Sequence, residues 1–311
     1  MKETVTIHSA IEKTRSARNL FDEIMSEYCA DLWNYCRYIT GSPWDGEDLY
    51  QETLIKSFGL LPARWSEITD KKYYLFRIAT NGWLDLCRKR KREVGTLEEI
   101  PDTPVDFSES LLLEEVLEML AANLTPKQTA AFLLMDVFQF NAEEVAGIVQ
   151  STTGGVYASV QRARKRIANL DFAKPKAVVL STKNRAVIQA YLQAFNSGDL
   201  NGMLQLFSEQ AHNEAFLGFQ EFSKEEMRKG SLQFGLPGHT AQEVVLWGKP
   251  VIIVLANDTN GPAIHDIQIQ EIENGKIVSH KSYFFRKELI LAAAKELGMQ
   301  AQMVKPPLDW S

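Results

Sequence analysis

The stretch that decides how the first half of this chain folds runs from Asn141 to Ile167, NAEEVAGIVQSTTGGVYASVQRARKRI. Asn141 is a capping residue with Glu144 three places on, and Glu143 and Glu144 set acids against the positive end of a helix dipole. Val145, Ala146, Ile148 and Val149 then supply a buried face, and Gln150 to Thr153 predicts a short turn. In the helix that follows, Val156, Val160, Ala163 and Ile167 fall on one stripe, leaving Tyr157, Gln161, Arg162, Arg164 and Lys165 on the opposite side. A brace helix, a turn and a basic-faced second helix make the layout of a helix-turn-helix, whose second helix lies in the major groove of DNA. Periodicity alone suits an ordinary helical hairpin with a solvated basic face equally well.

The particular residues add to that. Leu124-Thr125-Pro126-Lys127-Gln128, Glu143-Glu144-Val145-Ala146, Gly155-Val156 and Gln161-Arg162-Ala163-Arg164 closely resemble region 4 of sigma-70 family RNA polymerase sigma factors of the extracytoplasmic-function type. The resemblance implies that this unit reads the minus-thirty-five promoter element and meets the polymerase β flap, with Thr153, Tyr157, Gln161, Arg162, Arg164 and Lys165 facing DNA. Tyr157 and Ser159 stand where the family commonly has Lys and Arg, which implies fewer phosphate and guanine contacts there.

A second resemblance lies upstream. Asp45-Gly46-Glu47-Asp48-Leu49-Tyr50-Gln51-Glu52-Thr53 is similar to the region 2 motif that docks on the β′ clamp of core RNA polymerase, which implies that Asp45, Asp48, Gln51 and Glu52 contact the enzyme. Read from the residues, Asp48, Gln51 and Glu52 occupy adjacent turns of one helix as an acidic ridge, a pattern that also describes a plain solvated face. From Tyr73 to Arg92 a further helix turns Leu75, Ile78, Ala79, Gly82 and Leu86 inward and Arg77, Asn81, Asp85 and Arg88 outward, ending in the run Arg88-Lys89-Arg90-Lys91-Arg92. That segment looks like the one with which the family captures the minus-ten element during strand separation. Cations for phosphates and polar side chains for unstacked bases suit such a role. Trp65, Tyr73 and Tyr74 are near enough to stack bases, with core as the alternative for Tyr73, Tyr74 and Trp83.

Working outward, apolar residues recur helically from Leu20, as in Leu32, Tyr35, Cys36 and Ile39, then Leu49, Thr53, Ile55 and Phe58, with a break at Gly41-Ser42-Pro43. Glu93 to Pro126 contains no Lys or Arg, and its acidic, proline-bearing part, 93–107, reads as a linker. Helices resume at Ser108 and again at Thr125-Pro126. After Asp171, Ala173-Lys174-Pro175-Lys176 opens a connector. Beyond it lie helices over about Asn184–Phe195 and Leu200–Phe207 and strands over Gln242–Trp247, Val251–Leu255, Ala263–Ile272 and Lys276–Phe285, the last two flanking Asn274-Gly275, a type I′ hairpin pair. This half reads as α+β with an antiparallel sheet. Tyr191-Leu192, Ala194-Phe195-Asn196 and Gly198-Asp199 resemble the opening of a SnoaL-like, nuclear-transport-factor-like cone, which implies a domain that modulates promoter opening or polymerase binding.

The chain is therefore expected to be multidomain: two all-α units at 20–92 and 108–170, an α+β cone at 181–286, and a C-terminal helix and tail at 287–311. At 311 residues it exceeds one comfortable core, and its 45% apolar share excludes global disorder. A net charge of −6 argues against a protein that coats DNA through its overall field, so the basic runs have to act locally. Cys29, Cys36 and Cys87, odd in number and without a Cys-x-x-Cys pair, support neither disulfides nor a zinc site and suit the cytoplasm. No stretch is apolar enough to span a membrane. His212, Glu214, His265 and Asp266 are available to a pocket, yet no nucleophile, base and orienter set is visible, so neither catalysis nor a cofactor is expected, while a small ligand in the cone is allowed. The rival reading is a stand-alone helix-turn-helix regulator with a ligand-binding C-terminal domain; it has no use for the Asp48 to Glu52 ridge.

Overall fold

The computed structural model describes residues 27–64, 68–94, 124–167, 184–216, 218–258 and 261–303, which fall into two compact units. The linker at 93–107, the helix expected from Ser108, the connector at Ala173, Trp65 and the tail beyond Met303 lie outside the described residues, apart from the last turn of one helix at Glu93 and Val94.

The first unit is all helical. Helix α1 covers 27–40 and stops where Gly41 takes a left-handed φ of 71°, a conformation that glycine adopts without strain. Helix α2, Pro43–Arg64, starts with proline at its first position, and α3 spans Lys71–Val94. Their shared core holds Leu32, Tyr35, Cys36 and Ile39 from α1, Leu49, Tyr50 and Leu54 from α2, and Leu75, Phe76, Ala79 and Trp83 from α3. Two expectations change here. Ile55, expected on the buried stripe, is 64% exposed. It sits two residues from buried Thr53 and Ser57, about 200° around the helix from each. The inward face of α3 passes through Phe76, Thr80, Trp83 and Leu84 as well as Leu75 and Ala79, while Ile78, Gly82 and Leu86, expected inward, are only half-buried.

Helix α4, Pro126–Phe132, opens with a capping box in which Gln128 returns a bond to the Thr125 amide, and it unwinds into a π-turn at Leu133–Val137. Helix α5, Ala142–Val149, ends with Gln150 in the left-handed region, and α6 runs Thr153–Ile167. The Asn141 side chain accepts the Glu143 and Glu144 amides at 3.0 Å each, and Glu144 answers the Asn141 amide at 2.8 Å. Asn141→Ala is expected to cost about 1 kcal/mol, read as a lower thermal midpoint of the helical signal.

The second unit is α+β. Helices α7, Arg185–Ser197, and α8, Leu200–Leu206, precede strands β1, Phe207–Ala215, and β2, Phe219–Glu221. After α9, Lys224–Lys229, come β3, Thr240–Leu246, β4, Lys249–Asp258, β5, Gly261–Glu273, and β6, Lys276–Ser282. Helix α10, Lys287–Glu296, and the short β7, Gln300–Ala301, complete it. The sheet is mixed, in the order β2-β1-β6-β5-β4-β3 with β7 added beside β5, and not the purely antiparallel one expected. The departure comes from two strands the sequence hid: β1 lies parallel to β6, and β7 parallel to β5. Asn274 and Gly275 both have positive φ, as the β5–β6 hairpin requires. Tyr191, Phe195, Met203 and Leu204 of α7 and α8 pack with Ile252, Val254 and Ile277 on one face of the sheet.

Candidate functional site

The acidic ridge on α2 is real but unequal. Asp48 and Glu52 are exposed four residues apart, and Glu52 pairs with Lys56 at 2.7 Å. Gln51 is half-buried because its amide donates to the Glu47 carboxylate at 2.9 Å. Glu47 itself is fully buried and also takes the Trp33 indole N–H at 2.8 Å, so this second acid of the run holds α1 to α2. Asp45 lies 3.4 Å from Arg90 of α3.

On α3, Arg77, Asp85, Arg88, Lys89 and Arg90 are exposed and Asn81 is half-buried. Asp85 and Arg88 bond to one another at 2.5 Å. Exposed pairs of this kind are worth about 1 kcal/mol or less, so they can be exchanged for other partners. Burial raises the Cys87 thiol above its ordinary range, and the cysteines at 29, 36 and 87 are thiols, not disulfides.

Helix α6 presents Thr153, Tyr157, Gln161, Arg162 and Lys165 to solvent, while Val156, Val160 and Ala163 are buried. Thr152 accepts the Gly155 amide at 3.1 Å and so fixes the start of the helix. Arg164 differs from its neighbours: its guanidinium grips Asp136 in a two-bonded fork at 2.7 and 2.6 Å, which ties α6 back to the π-turn.

The two helical groups of this unit read as separate in the sequence but share an aromatic cluster. Phe138 sits 5.3 Å from Tyr35 and 5.2 Å from Phe76, and Phe140 sits 5.1 Å from Phe76 between ring centroids. Lys72 lies over the Phe140 ring at 5.4 Å. Sequence reasoning missed this joint; its signal was two phenylalanines alternating just ahead of the Asn141 cap, outside either helical stripe.

In the second unit the strand alternation divides the four expected pocket residues. His212 and Glu214 point away from the concave face, where His212 stacks on Phe222 at 5.0 Å. His265 and Asp266 both line the concave cavity, because a β-bulge leaves His265 without a register partner between Ile264 and Asp266. Among the described residues no group of three His, Cys, Asp or Glu side chains could hold a metal ion, and no helix is long and apolar enough to cross a membrane.

With this geometry in hand, comparison with known proteins places the chain. Residues 24–93 match the family model of Sigma-70 region 2. RNA polymerase sigma-E factor of Streptomyces avermitilis is 31% identical over 155 residues, covering 47% of this chain and 82% of that protein. ECF RNA polymerase sigma factor SigG of Mycobacterium tuberculosis is 28% identical over 237 residues, and the alignment spans 66% of this chain and 63% of SigG. Among solved structures, extracytoplasmic function sigma factor SigJ of Mycobacterium tuberculosis overlaps 83% of this chain and 95% of its own at 19% identity, with a TM-score of 0.33. The chain belongs to the sigma-70 family of RNA polymerase sigma factors, of the extracytoplasmic-function type.

Proposed function

We propose that this chain directs core RNA polymerase to promoters and that its C-terminal unit, a SnoaL-like cone, tunes that activity. The observation that carries the reading is the outer face of α6, where Gln161, Arg162 and Lys165 stand exposed on a helix braced from behind by α5. In this reading α5 and α6 form a helix-turn-helix seated at the minus-thirty-five element, with Thr153 and Tyr157 entering first. Asp48 and Glu52, flanked by Gln51 and Asp45, meet the β′ clamp, and the α4–α6 group meets the β flap. Arg77, Asn81 and the basic end of α3, Arg88 to Arg90, hold the melted minus-ten strand, with Asp85 released from Arg88 as DNA arrives. Arg164 positions α6 through Asp136 and contributes least to the DNA.

Nothing in this scheme needs bond chemistry by the chain itself, in keeping with a family of initiation factors that are not enzymes. A self-sufficient repressor is the weaker reading, since family membership accounts for the α2 ridge and a repressor does not.

Run-off transcription with purified core polymerase tests the proposal. The full chain should yield promoter-dependent transcripts, and a chain ending at Phe172 should yield an altered amount. Absence of any such transcript from both would remove the reading. Arg162→Ala combined with Lys165→Ala is expected to weaken promoter binding by the holoenzyme about tenfold and to flatten its salt dependence, since each lost phosphate contact lowers the salt slope by about one.

A further inference from the structure

The concave face of the second unit carries a half-open cavity of about 160 Å³. Most of its wall is apolar, including Phe195, Phe207, Met227 and Val254. One edge is polar and internally braced. The Tyr191 hydroxyl donates to Gln268 at 3.0 Å, and the Gln268 amide and Ser282 hydroxyl donate to one oxygen of Asp266 at 3.0 and 2.9 Å. His265, turned inward by the bulge, packs against the His239 ring at 4.2 Å.

His239 is the odd member. It lines the cavity, and its Nδ1 is buried without a hydrogen-bond partner. Burial lowers its proton affinity below the ordinary histidine range, so the ring is neutral near pH 7. With the ring proton on Nε2, the unpartnered Nδ1 is the accepting nitrogen, and a buried acceptor left unmatched costs about 1 to 3 kcal/mol. A ligand that brings a donor to this edge recovers that cost. The described lining contains neither Lys nor Arg, so an anion finds no cation there to offset the cost of leaving water. Size narrows the ligand further, because an apolar cavity of about 150 Å³ takes one benzene-sized ring.

We propose that this cavity is a binding site for a neutral, single-ring aromatic that carries one hydroxyl, the phenol class. The ring packs against Phe207 and Met227, and the hydroxyl donates to His239. The site stands apart from the promoter reading and requires neither polymerase nor DNA, so the two succeed or fail separately.

Calorimetric titration of the full chain with phenol, toluene and benzoate decides it. Phenol is expected to bind saturably at one site, toluene about fivefold more weakly for want of one net hydrogen bond, and benzoate at least about tenfold more weakly. His239→Phe should bring phenol down to the affinity of toluene and leave toluene within about twofold. No saturable phenol binding, or benzoate binding as tightly as phenol, overturns the proposal on the natural chain alone. Unchanged phenol affinity in a folded His239→Phe chain removes the role of His239 and with it the proposed hydroxyl specificity.

Discussion

Gly46→Ala is expected to destabilise the helical unit, whereas the same replacement at Gly154 should stabilise it. Both glycines lie in the opening residues of helices, Gly46 fourth and Gly154 second, where alanine is intrinsically better by up to about 1 kcal/mol, so helix propensity alone predicts a gain at each. The surroundings separate them. A methyl at position 46 would overlap the backbone of Arg37, at both its Cα and its amide nitrogen, because α1 and α2 cross there at the closest approach a glycine allows. The obstruction is backbone, so relief requires moving one helix off the other. That shift would loosen buried Trp44 and Glu47 on either side, including the Trp33 to Glu47 bond. Overpacking of this kind costs about 1 to 3 kcal/mol and occasionally more, enough to outweigh the propensity gain. At position 154 nothing lies within 4 Å of the added methyl, so only the gain remains. Thermal unfolding followed by circular dichroism should show Gly46→Ala melting lower and Gly154→Ala slightly higher than the natural chain. A rise for both would mean that α1 and α2 do not meet at Gly46.

The contrast shows which parts of this molecule were legible in its sequence. The caps at Thr125 and Asn141, the break at Gly41 and the Asn274-Gly275 hairpin are local: each depends on residues a few positions apart, and each formed as the spacing predicts. The outer face of α6 followed for the same reason, since period and charge fix which residues a single helix exposes. Pairings at long range were not legible. Glu47 looks like its acidic neighbours and differs in being buried, where Trp33, fourteen residues back, donates to it. Arg164 looks like Arg162 and differs only because Asp136 lies beside it.

Strand β1 shows the same limit in the second unit. Its run Phe207-Ser208-Glu209-Gln210-Ala211-His212 carries neither clean alternation nor β-branched residues, so nothing local announces a strand. What holds it is β6, whose partner positions lie about seventy residues on and run parallel to it. The inward turn of both His265 and Asp266 has a comparable origin. Alternation would send one of them out, and a bulge, set by the register of β4 against β5, reverses that.

Acidification below pH 6.5 should expose the burial of His280 directly. This ring is packed between Tyr191 and Phe207, at centroid distances of 5.9 and 5.8 Å, and its Nδ1 accepts from the Gln270 amide at 3.4 Å. Burial pushes its pKa down to about 4 from the usual 6.5. A histidine whose folded value lies below its unfolded value favours the folded state in full above pH 6.5, and that contribution is lost as pH falls from 6.5 towards 4. At pH 5 the loss comes to roughly 2 kcal/mol, at 1.36 kcal/mol for each pH unit below 6.5. Carboxylates also titrate in this window, so the comparison has to be with a chain in which only the imidazole is missing. Between pH 7 and pH 5 the natural chain should therefore lose about 2 kcal/mol more stability than His280→Gln, measured by urea unfolding of the second unit's fluorescence at each pH. Equal losses in the two chains would mean that water reaches the ring, and the concave face would then be too wet to discriminate phenol from toluene as its lining predicts.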